Sequence, residues 1–226
     1  MMVGSGGIYK EDIMKIHDIS MTIHKDMPVY KGRDFKRPII SVDSDFKTGA
    51  SAYESRLEMN LHTGTHLDRP LHMIEGGETL DTFRLEQVVT DCKVFDLTYV
   101  TDGISKEDLE DKDIKKGDFI ILKTKNSFED ILETDFIYVD KTGAEYLAEK
   151  GIKGVGIDSL GIERSQPNHE THKTLLGADI VILEGLKLRD IEEGKYFLVA
   201  VPIKIAGVEA GPVRAILLEN KEKLIM

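Results

Sequence analysis

The sequence predicts an α/β fold, a single strand-rich domain with a few helices, and three observations carry that reading. Ten short runs are β-rich, three pieces have helical composition with capping residues, and the two kinds alternate through the second half of the chain. At 226 residues, with 41% hydrophobic and 31% charged side chains, the chain can bury one sizeable core and has the balance of a folded globular protein.

In order, the strand-like runs are "IMKIHDIS", "RPIISVD", "SRLEMNLH", "CKVFDLT", "GDFIILKT", "DFIYVD", "GVGID", "DIVILEG", "YFLVAVPIK" and "VRAILLEN". Of the helical pieces, "SKEDLEDK" opens on Ser105 as an N-cap, "TGAEYLAEKG" closes on Gly151, and "ETHKTLLGAD" closes on Gly177. From about Gly117 to Glu184 the order strand, strand, helix, strand, helix, strand indicates a partly parallel sheet carrying helices, to which the first half adds strands. The stretch "YFLVAVPIKIAGV", cut by Pro202 and Lys204, reads as buried sheet. No apolar run approaches the roughly 18 to 20 residues of a membrane span. "GSGG" near the start reads as part of a flexible segment 1–12, with the domain over 13–226.

With 41 acidic and 30 basic side chains the formal charge is −11, and no basic patch interrupts it, which argues against nucleic acid and membrane surfaces as partners. The opening residues lack the apolar core of a signal peptide, so a cytoplasmic location is expected. Cys92, the single cysteine, excludes an intrachain disulfide and a multi-cysteine zinc site, and reads as a small buried strand residue.

One segment is unlike the rest. "LHTGTHLDRPLH", Leu61 to His72, holds three of the seven histidines, an aspartate and a proline. A helix would put His62 and His66 on one face, but Thr63, Gly64, Thr65 and Pro70 all resist helix. On a straight strand the two lie about 13 Å apart at roughly 3.3 Å per residue, too far for ligands that each approach an ion to about 2.1 Å. Both can bind one metal only if the chain bends between them, and Gly64 is the residue type that permits it. The alternation in "RLEMNLH" predicts a strand delivering His62 from its polar side, and an extended segment puts His66 and Asp68 on one side. Histidine and carboxylate without cysteine suit Zn, Mn or Fe(II), and water on such an ion is acidified towards a pKa of roughly 7.

"HTGTHLDRPLH" resembles, at every fixed position, the HxGTHxDxPxH signature of the cyclase family that includes bacterial kynurenine formamidase, an arylformamidase, and isatin hydrolase. The resemblance runs from about His17 to the end of the chain and implies a cyclase-like fold of the swivelling β/β/α type, usually as a homo-oligomer, dimer or tetramer. It implies His62, His66 and Asp68 as metal ligands, Asp68 bridging two ions, and His72 as the proton donor and acceptor. A second ligand pair, His172 and Glu184, matches in "HKTLLGADIVILEG", with His169 as the nearby competitor. "HDISMTIHKDMPVYKG" resembles the family's opening strand and implies Tyr30 as a substrate contact. The cofactor implied is a pair of divalent ions per subunit, zinc first, manganese or iron as alternatives.

The activity implied is hydrolysis of a non-peptide C–N bond in a small molecule, foremost an N-formyl arylamine of the N-formylkynurenine kind. Isatin-like cyclic amides, lactones and polyketide-type cyclisation make the same demand on the site, and a metal-binding protein without turnover is the remaining class. The chain departs from the formamidases in having no tryptophan where Tyr30 stands, Lys31 where proline is common, and Arg69 where a small residue is common, departures that bear on the substrate pocket. Asp158 and Ser159 are candidates for supporting the site or capping a loop, and Glu75 to Gly77 for a flap or a plain turn.

Overall fold

A computed structural model describes residues 14–219, so the expected flexible segment 1–12 lies outside the described residues. The run "FIILK" is a strand with every residue buried, as a parallel strand covered on both faces must be. Around it the described strands are β1 (Lys15–Asp18), β2 (Ile39–Ser44), β3 (Glu54–Glu58), β4 (His66–Asp68), β5 (Val89–Asp96), β6 (Gly103–Ile104), β7 (Phe119–Lys123), β8 (Tyr138–Val139), β9 (Gly154–Ile157), β10 (Val181–Glu184), β11 (Gly194–Val199), β12 (Ala210–Pro212) and β13 (Ile216–Glu219). Nine form one sheet in the order β1-β13-β11-β5-β7-β9-β10-β4-β12. Its centre, β5-β7-β9-β10, is parallel, and the flanking pairs are antiparallel.

Alternate residues of the central strands feed two cores. Ile120, Leu122, Val155, Ile157 and Ile182 point into one, which is closed by the helices α2 (Lys141–Lys150) and α3 (Glu170–Gly177). Phe119, Ile121, Val181 and Leu183 point into the other with Leu67, Leu198 and Leu217 from the flanking strands, where the sheet curls over itself. This is the mixed α/β, strand-rich architecture the sequence predicts. Cys92 belongs to the second core. Among the described residues no helix is long and apolar enough to cross a membrane.

All ten predicted runs contain a strand, and all three helical pieces contain a helix. Ser105 and Asp108 form a capping box on α1 (Lys106–Leu109), and α2 runs from an Asp140 cap to the left-handed Gly151. Three expectations need correction. α3 does not stop on Gly177: that residue is still helical, Ala178 is the cap, and the left-handed turn falls on Asp179 at φ 56°. The strand before the motif ends at Glu58, so His62 sits in a turn. There the Asn60 side chain accepts from His62 N–H at 3.1 Å and its carbonyl from Thr63 N–H at 3.1 Å, capturing donors a continued strand would have offered to a neighbour. The late apolar stretch leaves the sheet after Val199, and Ile203 is exposed.

Candidate metal centre and active site

The bend that the ligand spacing demands is present. Gly64 has φ +74°, and the chain then re-enters the sheet as β4, pairing antiparallel with the end of β10. That register sets His66 opposite Glu184 and Asp68 opposite Ile182. Directly opposed residues share a face, so backbone pairing alone brings the His66 imidazole beside the Glu184 carboxylate. Ile182 belongs to the core under α3, and α3 therefore lowers His172 onto the same face.

Gly185, just past Glu184, is also left-handed, at φ +70°. A Cβ there would collide with the Gly64 carbonyl, so the two glycine turns lie backbone to backbone. Thr65 ties them together, its hydroxyl donating to the Gly185 carbonyl at 2.6 Å. Gly185→Ala should therefore melt lower by the equivalent of about 2 kcal/mol or more and bind metal more weakly. Gly49→Ala, at φ +87° in open space, carries the backbone strain without the collision. Thermal melts with and without added metal, in which both variants lost the same stability, would show that the contact between the turns is unimportant.

The side chains converge on two buried carboxylates. Asp68 Oδ1 lies 3.0 Å from His62 Nδ1 and 3.5 Å from His66 Nε2, while Asp68 Oδ2 lies 3.5 Å from His172 Nε2. Glu184 faces the same two imidazoles, Oε2 at 3.2 Å from His66 Nε2 and Oε1 at 3.4 Å from His172 Nε2. The other nitrogen of each imidazole has a polar neighbour, by hydrogen bond for His66 and His62 and by proximity alone for His172. His66 Nδ1 donates to the Gly64 carbonyl at 2.9 Å, His62 Nε2 meets Glu209 Oε1 at 3.1 Å, and His172 Nδ1 faces Glu163 Oε1 at 3.2 Å. Such outer contacts fix ring tautomer and aim the free nitrogen, as at metal sites. Asp68 is fully buried, yet neither of its oxygens, nor His66 Nε2, has a hydrogen-bond partner. Two buried carboxylates and a bare imidazole nitrogen aimed at one space fit a divalent cation.

The electrostatics agree. Burial and the Asp68 charge push Glu184 upward, but the His172 and His66 imidazoles prevail and hold it at about 2. Burial likewise opposes ionisation of Asp68, which its three imidazole neighbours keep well below the usual carboxylate range. His66 and His172 are raised in turn, against burial, by Glu184, Asp68 and, for His172, Glu163. A cation bound here would compete with protons for these ring nitrogens, so metal loading is favoured as pH rises.

His72 follows His62, His66 and Asp68 in the chain, on a short 3-10 turn opened by Pro70. Its ring lies 4.0 Å from that of His62 and 5.3 Å from that of His172. Burial pulls its pKa down to about 4, helped by His62 and His172 and opposed by Asp68 and Glu184, so the ring is neutral at neutral pH. His72 lines a cavity of about 200 Å³ together with Tyr30, Arg33, Lys36, Met73 and Leu160. His62, His172 and Glu184 open into the same space. Tyr30 therefore does face the centre, and its hydroxyl is 3.0 Å from Ser165 Oγ. His169 also lines the cavity but turns its Nδ1 onto Glu163, the carboxylate that faces His172.

Other expectations resolve into scaffolding. Arg69 does not reach the cavity: its side chain is buried behind the motif, 2.6 Å from Glu78 and 3.5 Å from Asp179, over the Phe83 ring. The Asp158 carboxylate accepts from Thr124 N–H and hydroxyl and from the Ser127 hydroxyl, closing the loop after β7, with its pKa pushed up to about 6 by burial. Ser159 donates to the Gly161 carbonyl. Glu75 to Gly77 form a tight turn whose Gly77 N–H returns to the Ile74 carbonyl. The residues that sequence reading missed are Glu163, Glu209, Arg33 and Lys36. No spacing signals the two carboxylates, since Glu209 is 147 positions from the histidine it touches.

Known proteins resemble this chain in sequence and in fold. A kynurenine formamidase of Erythrobacter litoralis is 32% identical, the match covering 91% of this chain and 94% of that protein. Two solved structures are closer in sequence. One, described as a potential metal-dependent hydrolase with cyclase activity, is 49% identical with a TM-score of 0.86 over 92% of this chain and 99% of that one. The other, a predicted metal-dependent hydrolase from Bacillus stearothermophilus, is 50% identical with a TM-score of 0.83 over 91% and 98% of the two chains. The profile of the family described as "Putative cyclase" matches residues 17–164, well over half of the sequence, and the chain belongs to that family.

Proposed function

We propose that the protein is a metal-dependent hydrolase that cleaves a non-peptide C–N bond, with N-formyl arylamines of the N-formylkynurenine kind as substrates. The observation that carries this reading is the buried Asp68, Glu184 and His66 cluster, in which both Asp68 oxygens and His66 Nε2 lack a hydrogen-bond partner, beside a cavity that Glu184 lines together with a neutral His72. Kinship with the Erythrobacter formamidase supports the substrate class. His62, His66, Asp68, His172 and Glu184 would hold two divalent ions, zinc first among them.

A metal bound there supplies Lewis acidity towards a carbonyl and lowers the pKa of water towards roughly 7. The remaining work falls to the chain. An arylamine nitrogen leaves poorly as an anion, so the C–N bond breaks only as a proton reaches that nitrogen. His72, uncharged at neutral pH, takes the proton from the attacking water and returns it to the nitrogen, so that the products are formate and the free arylamine. Tyr30 forms a wall against which the aryl ring lies.

Metal analysis of protein purified without chelator, followed by kinetics on N-formylkynurenine, isatin and an aryl lactone, tests the reading. Bound metal with fastest turnover of the formyl compound is expected. Metal without turnover, or a clear preference for isatin or the lactone, overturns the substrate class.

We also propose a homo-oligomer. β2 and β3 form a two-stranded ribbon outside the main sheet, with Ile40, Val42 and Leu57 on one exposed face. A lone ribbon is marginal in water, and an apolar face of this kind suits a second copy of the chain. Light scattering should give at least a dimer, and Ile40→Lys with Leu57→Lys should give a monomer. A monomeric wild-type protein at micromolar concentration would refute this.

A further inference from the structure

The segment 30–37, "YKGRDFKR", carries four basic residues and one acid in a chain where acids outnumber bases by 41 to 30. Arg37 is spoken for, its guanidinium 3.1 Å from Asp34 and 3.2 Å from Glu133. Arg33 and Lys36 are different. Both line the cavity above the metal centre, and among the described residues neither has a carboxylate within ion-pair distance. Lys36 is half-buried, where a charge without a partner is costly. The Tyr30 ring holds the pair in place, with Lys36 Nζ 5.6 Å and Arg33 Cζ 6.0 Å from its centroid. An aromatic face orients a cation but leaves its charge unneutralised. The backbone fixes Lys36 as well, since its carbonyl accepts from the Thr63 hydroxyl at 2.8 Å, one residue from His62. Two oriented cations on one rim of a reaction cavity, neither paired directly with a carboxylate and Lys36 feeling the Glu184 and Asp68 charges only from beyond ion-pair distance, make a receptor for an anion.

We propose that Arg33 and Lys36 are specificity residues that bind a carboxylate on the part of the substrate remaining outside the metal centre. The inference rests on the hydrolase reading above and narrows its substrates to arylamides that carry an anionic group. Arg33 offers the planar fork suited to a carboxylate, and Lys36 a point charge deeper in the cavity.

The test compares N-formylkynurenine with its carboxamide derivative, which differs only in the charge at the carboxyl end. The wild-type holoenzyme should prefer the carboxylate in kcat/KM by about tenfold to hundredfold. Arg33→Ala with Lys36→Ala should bring that ratio close to one, mainly through KM, whereas Arg33→Lys with Lys36→Arg should keep most of it. Because the ratio is internal, a partly folded variant does not mimic the result. An unchanged ratio in the alanine variant overturns the proposal. If neither compound is turned over, the formamidase reading fails, and calorimetry decides the rim separately. Wild-type protein should bind benzoate in preference to benzamide and the alanine variant should not; equal binding of the two probes by wild type overturns the anion site.

Discussion

Asp68→Ala should cost the protein its metal and its activity together, with turnover falling by about 10³ or more. Loss of a residue that merely supports a ligand costs about tenfold to hundredfold, and Asp68 stands at the centre of the proposed ligands. Its two oxygens face different imidazoles, Oδ1 towards His62 and His66 and Oδ2 towards His172, so removing it takes a contact from both halves of the cluster. Stability separates loss of metal from loss of fold. A ligand that binds only the native state stabilises it by about 2.7 kcal/mol at a hundred times its Kd, so the wild-type melting temperature should rise on adding zinc or manganese, whereas that of the variant should not move. The metal-free variant should still melt cooperatively, because Leu67 beside it keeps β4 in its core. A variant with wild-type metal content and turnover would remove Asp68 from the site and the two-ion reading with it.

Those contacts were partly legible in the sequence, and the reason is local. His62, His66, Asp68 and His72 lie within eleven residues, and the requirement that one ion be reached from both His62 and His66 forces a bend that only Gly64 offers. His172 and Glu184 were reached only through family resemblance. What brings them in is the β10-β4 register and the packing of α3 over Ile182, neither of which has a pattern in one sequence. The same limit hid Glu209, 147 positions from the histidine it touches, while Glu163, nine positions before His172, sits in a loop with no pattern that marks it. The strand runs were legible because a sheet with two cores needs uninterrupted apolar segments. The end of β3 was not, since "MNLH" alternates as a strand would while Asn60 diverts the backbone into a turn. Arg69 misled for a related reason: a charged residue inside such a motif suggests substrate binding, but its side chain pairs with Glu78 and Asp179, none of the three lining the cavity.

His72→Ala should separate chemistry from metal binding. The His72 ring is close enough to His62 and Asp68 for all three to share an ion, so geometry alone permits a ligand role. Three features favour proton transfer. His62, His66 and His172 each have one nitrogen engaged by a neighbouring carbonyl or carboxylate and the other aimed at Asp68 or Glu184. For His72 no such contact holds either nitrogen among the described residues. It also opens into the cavity beside Arg33 and Lys36, where a substrate must lie. Burial further keeps its pKa near 4, so the ring enters the cycle as a base. Removing a general acid-base group costs typically 10² to 10⁴ in rate, so turnover of N-formylkynurenine should fall by about that much while metal content stays at the wild-type level. The loss should be smaller for an arylformamide whose ring carries an electron-withdrawing nitro group, because a better leaving nitrogen needs less protonation as the C–N bond breaks. Equal losses on the two substrates would place His72 elsewhere in the reaction, and loss of bound metal would make it a ligand.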